Sequence, residues 1–479
     1  MSPGPVHGTE EIDVEVGLDN ERAGNIAPEN QPLPSYWDRF KKTFGELKPS
    51  GACNKCCIYQ VPKVVRDTDE GAYTPQVVSV GPFHRGRETL KSMEALKLRY
   101  FKYFLSRFDL ELQGFVDRVK QCEQDIRDCY AEEITGLNAD EFVEMILVDS
   151  GFIIELLLRD RERSRRDADD EFLKTPTVST CVAHDLILLE NQIPLFVLKD
   201  LYDGVLTSTS NSSVLELALY FFEDHNKQGL PLDSLDGVLH FADLIRTFFI
   251  PAPPPDTSPQ RNLPAFSFVN SATRLSNVGL KFKVKPSNCL LDVKFENGVL
   301  EIPTFGIYDT TKLLLRNLMA LEVCHYPNDS YIIDYVFMMN FLIDTVEDVD
   351  LLVEQGIIVN WLGQSAGVTT LFNNATTQIS YDNANFYFAQ VCHDLNEFYK
   401  VNWNRWKTTL NREYFGNPWK TVSTYAAVTL LLLAGAQTVC SVISVKNDLG
   451  TAGVSFSLVL LVFVFLFCMV HLLVKLILK

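Results

Sequence analysis

Few side chains in this 479-residue sequence have the types and spacing that chemistry demands. The densest group is His184-Asp185-Leu-Ile-Leu-Leu-Glu190-Asn191-Gln192-Ile-Pro194. An imidazole and two carboxylates so close in sequence could do acid–base chemistry, or could join the two amides in holding a ligand or a partner. A third reading is structural. Four aliphatic residues pack one helix into the core, and the hydrogen-bonding side chains before the proline form a buried network that fixes a helix junction. Nothing nearby supplies a nucleophile or signals a shifted proton affinity, so the structural reading is the expectation.

Two other constellations invite chemistry. Gly363-Gln-Ser365-Ala-Gly367 has the spacing of a nucleophile elbow, which needs its serine on a strained turn at the end of a parallel strand, with an acid and then a histidine later in the chain. Asp382 and His393 follow in that order but too soon for intervening strand–helix units, and the expectation is a loop between two helices. Cys53-Asn-Lys-Cys56-Cys57 suggests zinc, but zinc takes four ligands and no second such pair exists. The Cys/His neighbours Cys181/His184, Cys324/His325 and Cys392/His393 have nothing in the sequence to bring them together. Free thiols are the reading, and 11 irregularly spaced cysteines fit a reducing compartment better than a disulfide scaffold. Phosphate-binding glycine loops, paired-histidine zinc motifs and dinucleotide fingerprints are absent. No catalytic residue, metal or cofactor is therefore assigned.

The elements that must position these residues are mostly helical. ETLKSMEALKLRYFKYFLSRF, residues 88–108, puts Met93, Leu96, Tyr100 and Tyr103 on one stripe. Further helices are expected at 36–48, 114–134, 139–158, 183–203, 214–225, 236–249, 309–324, 331–345, 348–362 and 383–410. CLLDVKFENGVLEI carries the Asn297-Gly298 hairpin signal, with Leu291, Val293 and Phe295 alternating against Asp292, Lys294 and Glu296. The fold class is thus mainly α with one small antiparallel β-hairpin or sheet. Residues 1–35 read as a disordered acidic lead-in without a secretory signal. Residues 36–420 form one globular body, with a possible sub-boundary at the Pro-rich linker 251–259. The block RDRERSRRDADDE from Arg159 to Glu171 reads as a solvated loop.

Charge divides the chain unevenly. The formal total is −18, but from Lys400 onward eight basic residues face two acidic ones, leaving −24 on residues 1–399. A body so acidic disfavours nucleic acid. The basic tail holds two uncharged runs, 25 residues at 421–445 and 26 at 449–474. Each has the length of a transmembrane helix, and together they would make a helical hairpin. Ala436, Cys440 and Ser444 give the first run a small-residue face, and Gln437 would turn toward a neighbouring helix or an oligomer partner. Lys400, Arg405, Lys407, Arg412 and Lys420 flank that run, which places the body in the cytosol and the anchor in the plasma membrane or an endomembrane. The sequons at Asn211, Asn328 and Asn374 would carry glycan only on a luminal body.

Several motifs follow one another in order: CIYQVPKVVRD, YTPQVVSVGPFHRG, HDLILLENQIPLFVL, GVLEIP, LLLRNLMALEVCH and PWKTVSTYAAVTLLLLAGAQT. Over residues 57–445 the chain resembles the plant family catalogued as domain of unknown function 247. The resemblance implies a mostly helical protein ending in a transmembrane helix, without an established enzymatic activity. It also implies, for some members, a pollen-side role in self-incompatibility through recognition of small secreted stigma proteins. Val323 stands where the family pattern has Gln, and the run 449–474 lies beyond its usual end. The resulting reading is a membrane-anchored recognition protein, not an enzyme, whose partners are the membrane and a protein such as a small secreted protein or a second copy. The alternatives are an enzyme centred on residues 184–194 or a structural organiser of membranes.

Overall fold

In the computed structural model the described residues are 55–162, 175–203, 212–251, 269–381, 385–414 and 418–447. The first half holds α1 (Lys63–Arg66), α2 (Lys91–Arg107), α3 (Leu112–Gln121), α4 (Glu123–Arg127), α5 (Ala139–Arg161), α6 (Pro176–Asp185), α7 (Leu195–Asp203), α8 (Val214–Phe221) and α9 (Phe241–Phe249). The second holds α10 (Ala272–Asn277), α11 (Thr311–His325), α12 (Tyr331–Leu342), α13 (Val346–Glu354), α14 (Ser365–Ala375), α15 (Ala389–Tyr414) and α16 (Pro418–Asn447). The strands are β1 (Lys281–Lys285), β2 (Lys294–Glu296), β3 (Val299–Pro303), β4 (Phe305–Ile307) and β5 (Ile358–Asn360).

Helix α5 is the axis of the first half. Its start is a capping box, in which the Glu141 amide donates to Asn138 Oδ1 at 3.0 Å and the Asn138 amide donates to Glu141 Oε2 at 3.0 Å. From Phe142 to Leu158 it is buried almost all round, with α2, α3, α7 and α8 packed against it. The closest approach is at Gly151, where an added Cβ would lie 2.2 Å from Phe101 of α2. Gly151→Ala should therefore cost about 1–3 kcal/mol by overpacking. Denaturant unfolding checks this, and Phe101→Leu in the same chain should return part of the loss.

The hairpin forms as expected. Phe295 pairs with Leu300 across the antiparallel β2–β3 ladder, and Asn297 and Gly298 take φ of 50° and 76° as a two-residue turn requires. The single antiparallel sheet is otherwise an underestimate. β1 joins β3 in parallel to give the order β1-β3-β2, and β4 pairs in parallel with β5 as a second sheet. β5 occupies the end of the stretch expected as helix 348–362, because Gly356 at φ 76° ends the helical run after α13. Expected helix 114–134 likewise divides, into α3 and α4, and residues 128–134 are not helical. One apolar core contains residues from either side of the Pro-rich linker, such as Ile250 and Val269. The linker beyond Pro251, the N-terminal lead-in with the helix 36–48, most of the charge block and the run 449–474 lie outside the described residues.

Helix α15 leaves the body part-way along. Cys392 and Leu395 are buried and Phe398 packs on Phe295, with ring centroids 5.7 Å apart. The same helical face then continues as Tyr399, Trp403, Trp406 and Tyr414, and the last three are exposed. Tyr399 and Trp403 stack at 6.1 Å, and Trp403 meets Trp406 at 5.3 Å. In α16, Trp419, Val422, Leu430 and Leu431 are also exposed.

Among the described residues no helix is long and apolar enough to cross a membrane. The transmembrane helix expected at 421–445 is therefore not supported by them. The described side chains of α16 end at Gln437, and over that length Thr421, Ser423, Thr424, Thr429 and Gln437 dilute the apolar residues. Of the proposed packing face, Ala436 is half-buried and Gln437 exposed, while the Cys440 and Ser444 side chains lie outside the described ones.

Candidate functional site

The polar cluster at 184–192 does not sit on one helix. Expected helix 183–203 is broken into α6 and α7, with Leu186–Pro194 as turns between them. The break follows from what the side chains do. Gln192 Nε2 donates to the carbonyls of Leu186 and Leu188, both at 2.7 Å, and its Oε1 accepts from the first amides of α9, Phe241 at 3.0 Å and Ala242 at 3.3 Å. Local side-chain bonds of this kind replace the helical ladder.

The other members reach over a hundred residues back in sequence. Asp185 accepts three backbone amides, from Gln76 at 2.9 Å, Val77 at 2.7 Å and Val78 at 2.8 Å. Asn191 accepts from the Val80 amide at 2.7 Å and donates to the Val78 and Asp185 carbonyls at 3.0 and 2.9 Å. Glu190 accepts from the Val61 amide at 2.7 Å and pairs with Arg66. Together these bonds fasten the segment 61–80, which has little regular structure of its own, to the turn 185–192. Gly81 continues the attachment at φ 70°, where a Cβ would lie 2.7 Å from the Gln192 carbonyl oxygen. All four anchoring side chains are 1–3% exposed.

Electrostatics agrees with a structural role. Burial pushes Asp185 up to about 6, against the pull of its three amides. His84 Nε2 lies 3.1 Å from Glu190 Oε2 but lacks hydrogen-bond geometry, and burial, with Arg87 and Arg66 nearby, holds the imidazole down at about 3. It is therefore neutral, and the contact is no ion pair. Two buried polar pairs that the sequence did not signal extend the network. Lys97 joins Asp149 at 2.6 Å, and Arg246 joins Glu322 at 3.1 Å. Glu322 also accepts the first amides of α12, from Ile332 and Ile333, and burial raises it to about 7. Lys97 and Asp149 tie into the same segment, at the Ser79 carbonyl and the Gly81 amide. A charged residue at a helical core position is the available signal for such a pair, and it was hidden under the stripe assigned through Leu96 and Tyr103. Tyr103 is exposed, and the buried face runs through Met93, Lys97, Tyr100, Phe101 and Phe104.

His184 is different. It stands outside the network, on the wall of a cavity of about 920 Å³. The cavity lies between the end of α6, the loop from α8 to α9, the end of α9, the β1–β2 loop and the β4–α11 junction. His225, Asp224 and Lys227 share its polar side with His184, and Phe248, Phe249, Leu290, Phe305 and Leu314 contribute apolar walls. Burial lowers both imidazoles, His225 to about 4 with His184 adding to the effect. Among the described residues neither imidazole hydrogen-bonds a protein group.

The remaining motifs do not assemble. Ser365 begins α14 after β5, so the surroundings are strand, turn and helix instead of the expected loop between helices. The positive φ falls on Gly363, not on the serine as a strained elbow requires, and Ser365 Oγ donates to Asp350 at 2.5 Å without a histidine between. Asp382 lies outside the described residues and His393 is on α15. Cys53 also lies outside them, Cys56 is half-buried, and Cys57 is a buried free thiol against Cys129, whose carbonyl accepts the Cys57 amide at 2.9 Å. No three His, Cys, Asp or Glu side chains among the described residues approach closely enough to share a metal ion.

The sequence profile of DUF247, described as "Plant protein of unknown function", matches residues 58–433. The chain is 28% identical over 430 residues to UPF0481 protein At3g47200 of Arabidopsis thaliana, covering 84% of this chain and 89% of that one. It is 24% identical over 486 residues to Putative UPF0481 protein At3g02645 of the same plant, covering 79% of this chain and 89% of that one. No solved structure matches.

Proposed function

Because this chain belongs to the DUF247 family of plant proteins of unknown function, we propose from its own chemistry that it is a non-catalytic recognition protein held at a membrane by its C-terminal segment. The observation that carries the proposal is the commitment of Asp185, Glu190, Asn191 and Gln192 to backbone groups. Side chains so used cannot shuttle protons without releasing the segment they hold. The work left to the body is binding, through its surface loops, to a protein partner or a second copy.

Membrane attachment draws its support from the tail. The uncharged run 421–445 is long enough to cross the hydrocarbon at 1.5 Å per helical residue. Before it, the exposed Trp403, Trp406, Tyr414 and Trp419 are interleaved with Lys400, Arg405, Lys407, Arg412 and Lys420, a composition suited to the headgroup layer. The Thr424 and Thr429 hydroxyls donate to the carbonyls four residues back, at 2.8 and 2.7 Å, which is how helical threonines are accommodated in apolar surroundings. The charge bias favours a cytosolic body. A pollen-side recognition role is one specific case of this reading and would need a luminal or exported body.

Alkaline carbonate extraction of the full chain tests the anchor, and the chain is expected to stay with the membranes. Release into the wash would remove the anchor from the proposal. A glycosidase shift reads the side of the body, since Asn328 and Asn374 are exposed. No shift is expected for a cytosolic body. Turnover of ester, amide or phosphate substrates by the purified chain, lost in His184→Ala, would overturn the non-catalytic reading.

A further inference from the structure

We infer that the cavity between α6, α9 and the β1–β2 loop is a binding site for a small organic acid with a flat apolar body, its acid group meeting Lys227 and the His184–His225 pair. The inference is independent of membrane attachment. The volume, about 920 Å³, is within the range of small-molecule sites, which are apolar with a few convergent polar groups. This cavity has that division. Of its apolar lining, Phe248 and Phe305 are buried, and Phe249, Leu290 and Leu314 are partly buried. Aromatic and aliphatic walls of this kind accept a flat ring system.

The polar side selects the charge. His184 and His225 are close enough for one to lower the proton affinity of the other, and both leave their hydrogen-bonding capacity unused by the described protein groups. Both imidazoles are half-buried on the cavity wall, so a ligand in the cavity can take the place of water at their nitrogens. A neutral imidazole keeps one N–H, so the pair can offer two donors. Lys227 adds an exposed ammonium that no described carboxylate neutralises. Lys285 is already paired with Asp292. Asp224 is the opposing charge, and it too is exposed at the rim. The Lys227 charge balances the single fixed anion, and the two imidazole donors tip the polar side toward an acid.

Isothermal titration of the purified full-length protein, against its matched buffer, tests the site with two probes of one shape. Naphthalene-1-carboxylate carries the acid, and naphthalene-1-carboxamide is its neutral counterpart. The carboxylate is expected to bind at least about tenfold more tightly than the amide. Lys227→Met should weaken the carboxylate about tenfold and leave the amide unchanged. Leu290→Trp narrows the cavity and should abolish binding of both. Asn288→Trp, on the exposed loop at the same wall, serves if the first variant lowers the unfolding midpoint. Equal affinity for acid and amide overturns the charge assignment, as does a carboxylate affinity indifferent to Lys227→Met. Absence of binding by both probes, or binding that survives a folded blocking variant, overturns the site.

Discussion

Asp185→Ala is expected to destabilise the body by about 3–5 kcal/mol, because it removes one acceptor and strands three backbone amides at once. The amides of Gln76, Val77 and Val78 converge on this carboxylate, and Val78 is fully buried where water cannot replace it. Asp185→Asn is the milder change. Its one oxygen can keep Val77 and Val78, while its NH₂ group would face the Gln76 amide, on an exposed residue that water can reach. That variant should lose about 1–3 kcal/mol. Its penalty should also depend on pH in a fixed sense. Burial raises Asp185 in the folded protein from 3.8 to about 6. The native state therefore holds a proton that the unfolded chain releases, and this favours folding below about pH 4 and is lost as pH rises through 6. Asparagine cannot ionise, so the loss measured for Asp185→Asn by denaturant unfolding should be larger at pH 4 than at pH 7.5. An equal loss at both would contradict the buried-carboxylate account, and a loss under 1 kcal/mol for Asp185→Ala would remove the tether itself.

The features legible in the sequence are those encoded by neighbours. The Asn297-Gly298 turn declares itself because two adjacent residues must take positive φ. Helix α5 is visible because its cap and its apolar run are contiguous. The turn at 185–192 is not visible, although its residue types stand out. Its aliphatic run Leu186–Leu189 looks like helix, and the bonds that break the helix come from Gln192 and from a segment over a hundred residues away. Hydrophobic periodicity carries no record of a side chain that reaches so far. The structural reading of the cluster was recoverable for a simpler reason. Acids and amides beside a proline, with no nucleophile nearby, are more useful as acceptors for backbone than as reagents. His184 shows the limit of that logic. It shares the motif, yet it lines a cavity together with His225, a neighbour the sequence could not name.

The same limit applies to Lys97, whose position on α2 fits the buried stripe and whose charge argues against it. It is 3% exposed, between Asp149 at 2.6 Å and the Ser79 carbonyl at 2.9 Å. Burial is the largest influence and would lower its proton affinity, but Asp149 and Glu94 together outweigh it and raise it, so the ammonium stays charged. Lys97→Met keeps the volume and removes the charge, leaving the Asp149 carboxyl, which burial already pushes up, with only the Gly81 amide at 2.9 Å beside it. The expected loss is about 3–5 kcal/mol. Asp149→Asn should also be costly, since it leaves the buried ammonium with only the part-exposed Glu94, at 2.8 Å, as counter-ion. The two changes together should cost less than the sum, because a methionine beside an asparagine leaves no buried charge and the amide oxygen can still accept from Gly81. A coupling of about 2 kcal/mol or more in a double-mutant cycle would identify the pair as a charge-compensated strut under the segment 79–81. Additive losses would mean that Asp149 relaxes to water or takes up a proton when Lys97 is gone. The segment would then be held by the turn at 185–192 alone, and Asp185→Ala would be left as the decisive lesion.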